Sequence, residues 1–153
     1  MLILIVGNSG SGKTTQKKIL TSEYGLKKIT TYTTRDKRVG EVDGVDYYFL
    51  SREEFEKKIE DNFFFEHTEY CGNLYGTSLK SIEDAASSKD KYVLIVESNG
   101  ALAIKEKIEA KAIYLKIPRK EIENRLKERN DDEISIKTRL EEVENSEKIC
   151  DYV

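Results

Sequence analysis

The chain has 153 residues and a mass of 17.6 kDa, enough for one domain whose core needs no disulfide or metal staple. Charged residues make up 36% of it, but 26 basic and 29 acidic side chains nearly cancel to a net charge of -3. That balance excludes a disordered polyelectrolyte and a general basic surface for nucleic acid. Cys71 and Cys150 form no disulfide framework, His67 has no partner at zinc spacing, and the longest apolar run is too short for a membrane span or signal sequence. The expectation is a cytoplasmic protein with no membrane partner and with thiols of a reducing compartment.

In chain order, the first predicted element is a strand over Leu2 to Val6. Its hydrophobicity is continuous, the pattern of a strand buried on both faces of a parallel sheet. Gly7-Asn8-Ser9-Gly10-Ser11-Gly12-Lys13-Thr14 follows, then a helix over Lys13 to Glu23 with Gly25 as its C-cap. The loop fits G-x-x-x-x-G-K-[ST] between strand and helix, the context that the motif requires. Glycines let successive N–H groups turn inward on an anion, and the helix N-terminus adds its dipole. Lys13 is placed to reach the β- and γ-phosphates of a nucleoside triphosphate, and Thr14 to ligate Mg²⁺. Gly7 through Thr14, with Thr15 beside them, are the candidate triphosphate site; a glycine-rich turn with an incidental lysine is the alternative.

Thr30 to Thr77 reads as an insertion with its own small β-rich layer, because it gathers most of the tyrosines and phenylalanines. Ser51-Arg52-Glu53-Glu54 is a capping box, with Phe55 and Ile59 as the buried stripe of the helix it opens. Tyr47 to Leu50 and Phe63 to Phe65 predict strands. Arg35 and Arg38 make a credible clamp for a phosphate monoester, since arginine forks bind phosphate bidentately; a solvated basic turn is the other reading. Tyr47 and Tyr75 are either phenolic donors or amphipathic packing. Glu66, after the apolar run, lies near a desolvated wall or is the exposed partner of an alternating strand.

Beyond the insertion the expected elements are a strand over Tyr92 to Val96, a helix over Ala101 to Ala110 and a strand over Ile113 to Ile117. Pro118 turns the chain into a helix over Lys120 to Arg129. A last helix over Glu133 to Ile149 carries Ile136, Leu140 and Val143 at helical spacing. Strands alternating with helices predict a three-layer α/β core.

Thr33-Thr34-Arg35, Gly40-Glu41-Val42-Asp43-Gly44, Asp46-Tyr47, Ser51, Glu54-Phe55, Gly72-Asn73 and Tyr75-Gly76-Thr77 together resemble the GMP-binding domain of guanylate kinases. The resemblance runs from the phosphate loop almost to the end of the chain. It implies one domain over residues 1–153, with a P-loop core (1–30, 78–124 and 140–153), a GMP-binding insertion (31–77) and a short helical lid (about 125–139). By the same resemblance Arg35, Arg38, Tyr47 and Tyr75 hold the acceptor's phosphate, Glu66 and Thr77 read guanine, and Thr31 assists. The chemistry agrees: guanine presents N1–H and N2–H₂ as adjacent donors to a carboxylate, whereas adenine presents an acceptor at N1. Arg125, Arg129 and Arg139 match the arginines that close with Lys13 on the transferring phosphoryl group; their plain alternative is pairing along the helix, such as Glu121 with Arg125. The implied activity is Mg²⁺-dependent transfer from ATP to GMP or dGMP, which requires no general base. A non-catalytic guanylate-kinase-like module that binds a nucleotide or a protein is the rival, and the intact phosphate loop favours the enzyme.

Three departures accompany the resemblance. The family's Asp-x-Asp becomes Ile95 and Glu97, which leaves Glu97 to serve the guanine edge or the water shell of Mg²⁺. Asn130 stands in a shorter lid where a glycine is common. Asp151-Tyr152-Val153 resembles the opening of the family's final strand, so the rest of that strand, the closing C-terminal helix and part of the adenine pocket are expected to be absent.

Overall fold

Parallel pairing of apolar strands organises the larger half of the protein. The computed structural model describes residues 1–141 and 146–153. Strands β1 (Leu2–Val6), β2 (Lys27–Lys28), β7 (Tyr92–Ile95) and β8 (Ala110–Tyr114) form one sheet in the order β2-β7-β1-β8, parallel throughout. Helices cover both faces, as burial of both faces requires. Ile82 and Ala85 of α3 (Leu79–Ser87) and Ala101 and Ile104 of α4 (Ser98–Lys105) pack with Leu4, Val6, Leu94 and Ala112. On the other face, Leu20 of α1 (Lys13–Ser22) joins Leu26, Ile5, Val93 and Ile95.

The second sheet has the order β4-β3-β6-β5, from β3 (Tyr32–Thr33), β4 (Tyr48–Phe49), β5 (Phe64–Tyr70) and β6 (Asn73–Ser78). Beside it lies α2 (Arg52–Glu60), whose Ser51 capping box is formed on both sides. Phe55 of α2 is fully buried, its ring stacked on Phe64 at 4.4 Å between centroids. Helices α5 (Arg119–Glu128) and α6 (Glu133–Glu141) pair through a separate apolar cluster of Ile122, Leu126, Ile136 and Leu140. Among the described residues no helix is long and apolar enough to cross a membrane.

Several expected boundaries move. The third core strand runs over Ala110–Tyr114, not Ile113 to Ile117, and the helix before it ends at Lys105. Ala110 and Ala112 are good helix formers, but pairing of the segment with β1, Leu2 opposite Ala110 through Val6 opposite Tyr114, overrides that propensity. The strand expected at Phe63 to Phe65 continues to Tyr70, because its polar half pairs with β6. Helix α3 was not expected, although Ser78 caps it by accepting from Ser81 N. Helix α1 ends on Glu23, and Gly25, at φ 69°, turns the chain two residues later. Of the last expected helix, α6 and a 3-10 turn at Glu147–Ile149 are described, and Val143 lies outside the described residues. Tyr152 bridges Ile113 in parallel, the pairing expected of an opening strand.

Candidate active site

The site lies at the C-terminal ends of β1 and β7, where an open parallel sheet places its ligand crevice. The phosphate loop leaves β1 tightly folded against the protein: a Cβ at Gly7 would stand 2.9 Å from the Leu115 carbonyl oxygen and 2.8 Å from Ser11 Oγ. Gly10 and Gly12 take φ 83° and 93°, so only glycine fits those turns without strain. Lys13 Nζ donates to the carbonyls of Gly7 and, at 2.9 Å, Asn8. Burial lowers its pKa, Arg129, Arg139 and Arg38 lower it further, and Glu97 acts in the opposite direction. Ser11 Oγ and Asn8 Nδ2 are buried without a hydrogen-bond partner among the described residues. Unsatisfied polar groups of this kind on a phosphate loop fit a polar ligand.

Across the cleft, Arg35 follows β3 and is buried. Its guanidinium forks onto Glu41, with Nη1 3.1 Å from Oε2 and Nη2 2.8 Å from Oε1, and lies 5.4 Å from the centre of the Tyr47 ring. Glu41 Oε2 also accepts from Arg38 N at 2.8 Å. Burial opposes the charge on both members of the Arg35–Glu41 pair, but their hydrogen bonds and mutual attraction raise the Arg35 pKa and lower that of Glu41. One carboxylate thus holds the Arg35 guanidinium and the backbone of Arg38. Glu41 was missing from the candidate residues; its signal was an acid three places after Arg38 inside the family-like motif. Arg38 makes no side-chain hydrogen bond among the described residues, and burial followed by Arg35 and Arg129 lowers its pKa, so its fork is the available half of the clamp. Burial pushes the Tyr47 phenol up to about 12 and also raises Tyr75. Both phenols are therefore neutral donors at pH 7.

At the far end, Glu66 and Thr77 face each other across β5 and β6. The register slips between Phe64 and Glu66, and this bulge re-aims Glu66 out of simple alternation. The exposed-strand reading of Glu66 is thereby excluded: it is buried, and Thr77 Oγ1 donates to its Oε1 at 2.6 Å. Burial pushes its pKa up to about 7, with Glu97 adding to the rise and Thr77 opposing it. Thr31, Tyr75, Val96 and Glu97 are among the other residues that line this narrow pocket. Glu97 precedes α4 without capping it by its side chain, so its carboxyl is left to the cleft. Burial raises its pKa while Lys13 and Arg139 pull it down, the balance expected of a group midway between the loop and the pocket.

The three arginines of the α5–α6 hairpin separate in role. Arg139 is buried, donates to Ser9 Oγ and has Nε 3.7 Å from Asp131 Oδ2. Arg129 stands at the end of α5, exposed, on the cleft margin. Arg125 donates to the Gly10 carbonyl at 2.7 Å and pairs with Glu121, the pairing along the helix that was its plain alternative. Lys13, Arg35, Arg38, Arg129, Arg139 and Glu97 share one cavity of about 120 Å³, whereas Arg125 stands outside its lining, behind the loop. Thr14 and Thr15, at the start of α1, open onto the same cavity. No cluster of three or more His, Cys, Asp or Glu among the described residues could hold a metal alone. An exposed Thr14 on a cavity that Glu97 also lines fits an ion that arrives already bound to phosphates.

A parallel sheet with a phosphate loop on its first strand and a mixed-sheet insertion across the cleft defines a P-loop protein of the nucleotide-kinase class. A family model for guanylate kinase matches residues 1–153. Guanylate kinase from Chlorobaculum tepidum is 41% identical over 148 residues, covering 94% of this chain and 76% of that protein. The one from Fusobacterium nucleatum is 38% identical over 154 residues, covering 99% and 82%. The crystal structure of guanylate kinase from Anaplasma phagocytophilum superposes with a TM-score of 0.79 at 26% identity, over all of this chain and 74% of that one. The chain belongs to the guanylate kinase family.

Proposed function

We propose that this protein transfers the γ-phosphoryl group of ATP to GMP or dGMP, producing ADP and GDP or dGDP. The observation that carries this reading is a single cleft with a phosphate loop at one end, a braced arginine clamp in the middle and a buried carboxylate–hydroxyl pair at the other. Residues 31–77 serve as the acceptor-binding insertion and about 125–139 as the lid on the remaining core. Gly7 through Thr15 hold the ATP phosphates. Arg35, Arg38, Tyr47 and Tyr75 hold the acceptor's phosphate, and Glu66 with Thr77 accepts and orients guanine, supported by Thr31 and Glu97. The Arg35–Glu41 fork is formed in advance, so less ordering accompanies binding.

An oxygen of the acceptor's phosphate attacks the γ-phosphorus in line as the bond to the β–γ bridging oxygen breaks. Little covalent help is needed, because positioning and charge neutralisation dominate such transfers. Lys13, Arg129 and Arg139 face the space between the two phosphate sites, and Arg125 braces the loop at Gly10. Mg²⁺, bound with ATP and held by Thr14, would offset charge on the β- and γ-phosphates. The matches across the whole chain support catalysis and lend nothing to a non-catalytic module. A steady-state assay of purified protein with GMP and Mg-ATP should show GDP and ADP formed in equal amounts. No turnover from folded protein at millimolar substrates would overturn the proposal.

A further inference from the structure

Gly100 is the third residue of α4, buried and with ordinary helical backbone angles. Nothing in that conformation asks for glycine, which destabilises a helix interior by about 1 kcal/mol relative to alanine. What asks for it is the neighbour. A Cβ at this position would lie 2.5 Å from Glu66 Oε2, 3.0 Å from Glu66 Cδ and 2.6 Å from Val96 Cγ2. Glu66 is held on its other oxygen by Thr77 Oγ1 at 2.6 Å, and Thr77 is fully buried in β6. The carboxylate therefore fits between a hydroxyl from the second sheet and the bare Cα of α4.

We infer that Gly100 is a positioning residue for guanine recognition: its missing side chain is the space that sets the Glu66 carboxylate at the angle from which it meets the base. This rests on the reading of Glu66 as the guanine acceptor. Of the groups that an added methyl would meet, the Glu66 carboxylate is the end of a flexible side chain. A methyl group there rotates the carboxylate off Thr77 and out of line with N1–H and N2–H₂, while its overlap with the Val96 methyl is the part that falls on the fold. Gly100 does not line the cavity of the phosphate loop and the arginine clamp, so the effect falls on the base.

The test is a double-mutant cycle on the full chain with Gly100→Ala, Glu66→Gln and the two combined. KM and kcat are measured for GMP, AMP and ATP, with GMP affinity by calorimetry and folding checked by thermal melting. The expected result for Gly100→Ala is a GMP KM higher by on the order of ten- to a hundredfold. Its ATP KM, and its kcat at saturating GMP, stay near those of the unmodified protein. The double variant should bind GMP no more weakly than Glu66→Gln alone, because two changes acting through one contact do not add. If Gly100→Ala melts, Val96→Ala is added to remove the other overlap, leaving the carboxylate as the only group displaced. An unchanged GMP KM in Gly100→Ala, or penalties that multiply in the double variant, would overturn the inference while leaving Glu66 in its role. An unchanged GMP affinity in Glu66→Gln would overturn the reading of Glu66 and the inference with it.

Discussion

Replacing Glu66 by Gln should weaken GMP binding and stabilise the protein, and pH separates the two effects. In the folded chain burial carries the Glu66 carboxyl from the ordinary 4.5 to about 7. The folded state then holds more protons than the unfolded one between those values, so the contribution of Glu66 to stability falls as pH rises through that window. At about 1.4 kcal/mol per pH unit, the ionised carboxylate costs the fold roughly 3 kcal/mol above pH 7. Glutamine keeps a carbonyl for Thr77 Oγ1 and carries no charge. Urea denaturation should therefore find Glu66→Gln more stable by roughly 3 kcal/mol at pH 8, with the gap shrinking toward pH 5. GMP affinity of the unmodified protein should fall about tenfold for each pH unit below 7, since only the ionised form accepts from both guanine donors. That of the glutamine variant should be weak and fall only as the GMP phosphate, with a second pKa of about 6, takes up a proton. A stability gap that is absent at pH 8, or the same at pH 5 and pH 8, would refute the reasoning.

Lys13→Met should abolish phosphoryl transfer in the coupled assay while calorimetry finds GMP affinity within about threefold of the original, because Lys13 does not line the Glu66 pocket and acts on the transferring phosphoryl group. Glu41→Gln removes the charge that fixes Arg35 and the backbone of Arg38. It should raise the GMP KM by roughly ten- to a hundredfold with a smaller effect on ATP. Arg139→Met should lower kcat by about a hundredfold or more in single-turnover measurements, with the KM for GMP changed far less.

The elements that could be read early are those whose physics is local. Gly7 to Thr14 forms its anion site from consecutive backbone N–H groups, so eight contiguous residues were sufficient to place it. The Ser51 capping box is likewise a matter of four residues. The resemblance of the insertion to a known family was carried by short, closely spaced blocks, which is why Arg35, Arg38, Tyr47, Tyr75 and Thr77 were singled out as candidates. The strand at Ala110–Tyr114 was misplaced because its alanines carry no strand signal, and only pairing with β1 decides its register.

By itself, the order of residues determined the phosphate loop, the capped helix, the alternation of apolar strands with helices, and the acidic and basic side chains available to the cleft. Tertiary structure alone decided what those side chains became. A bulge before Glu66 turned it inward and burial raised its pKa. The return of the loop carrying Glu41 made it the brace of two arginines. A helix distant in sequence brought Gly100 against Glu66. The first and last of these depend on desolvation or on contact between residues far apart along the chain, which no window of neighbours encodes; the Glu41 brace spans only three to six residues but needs the turn of its loop to close.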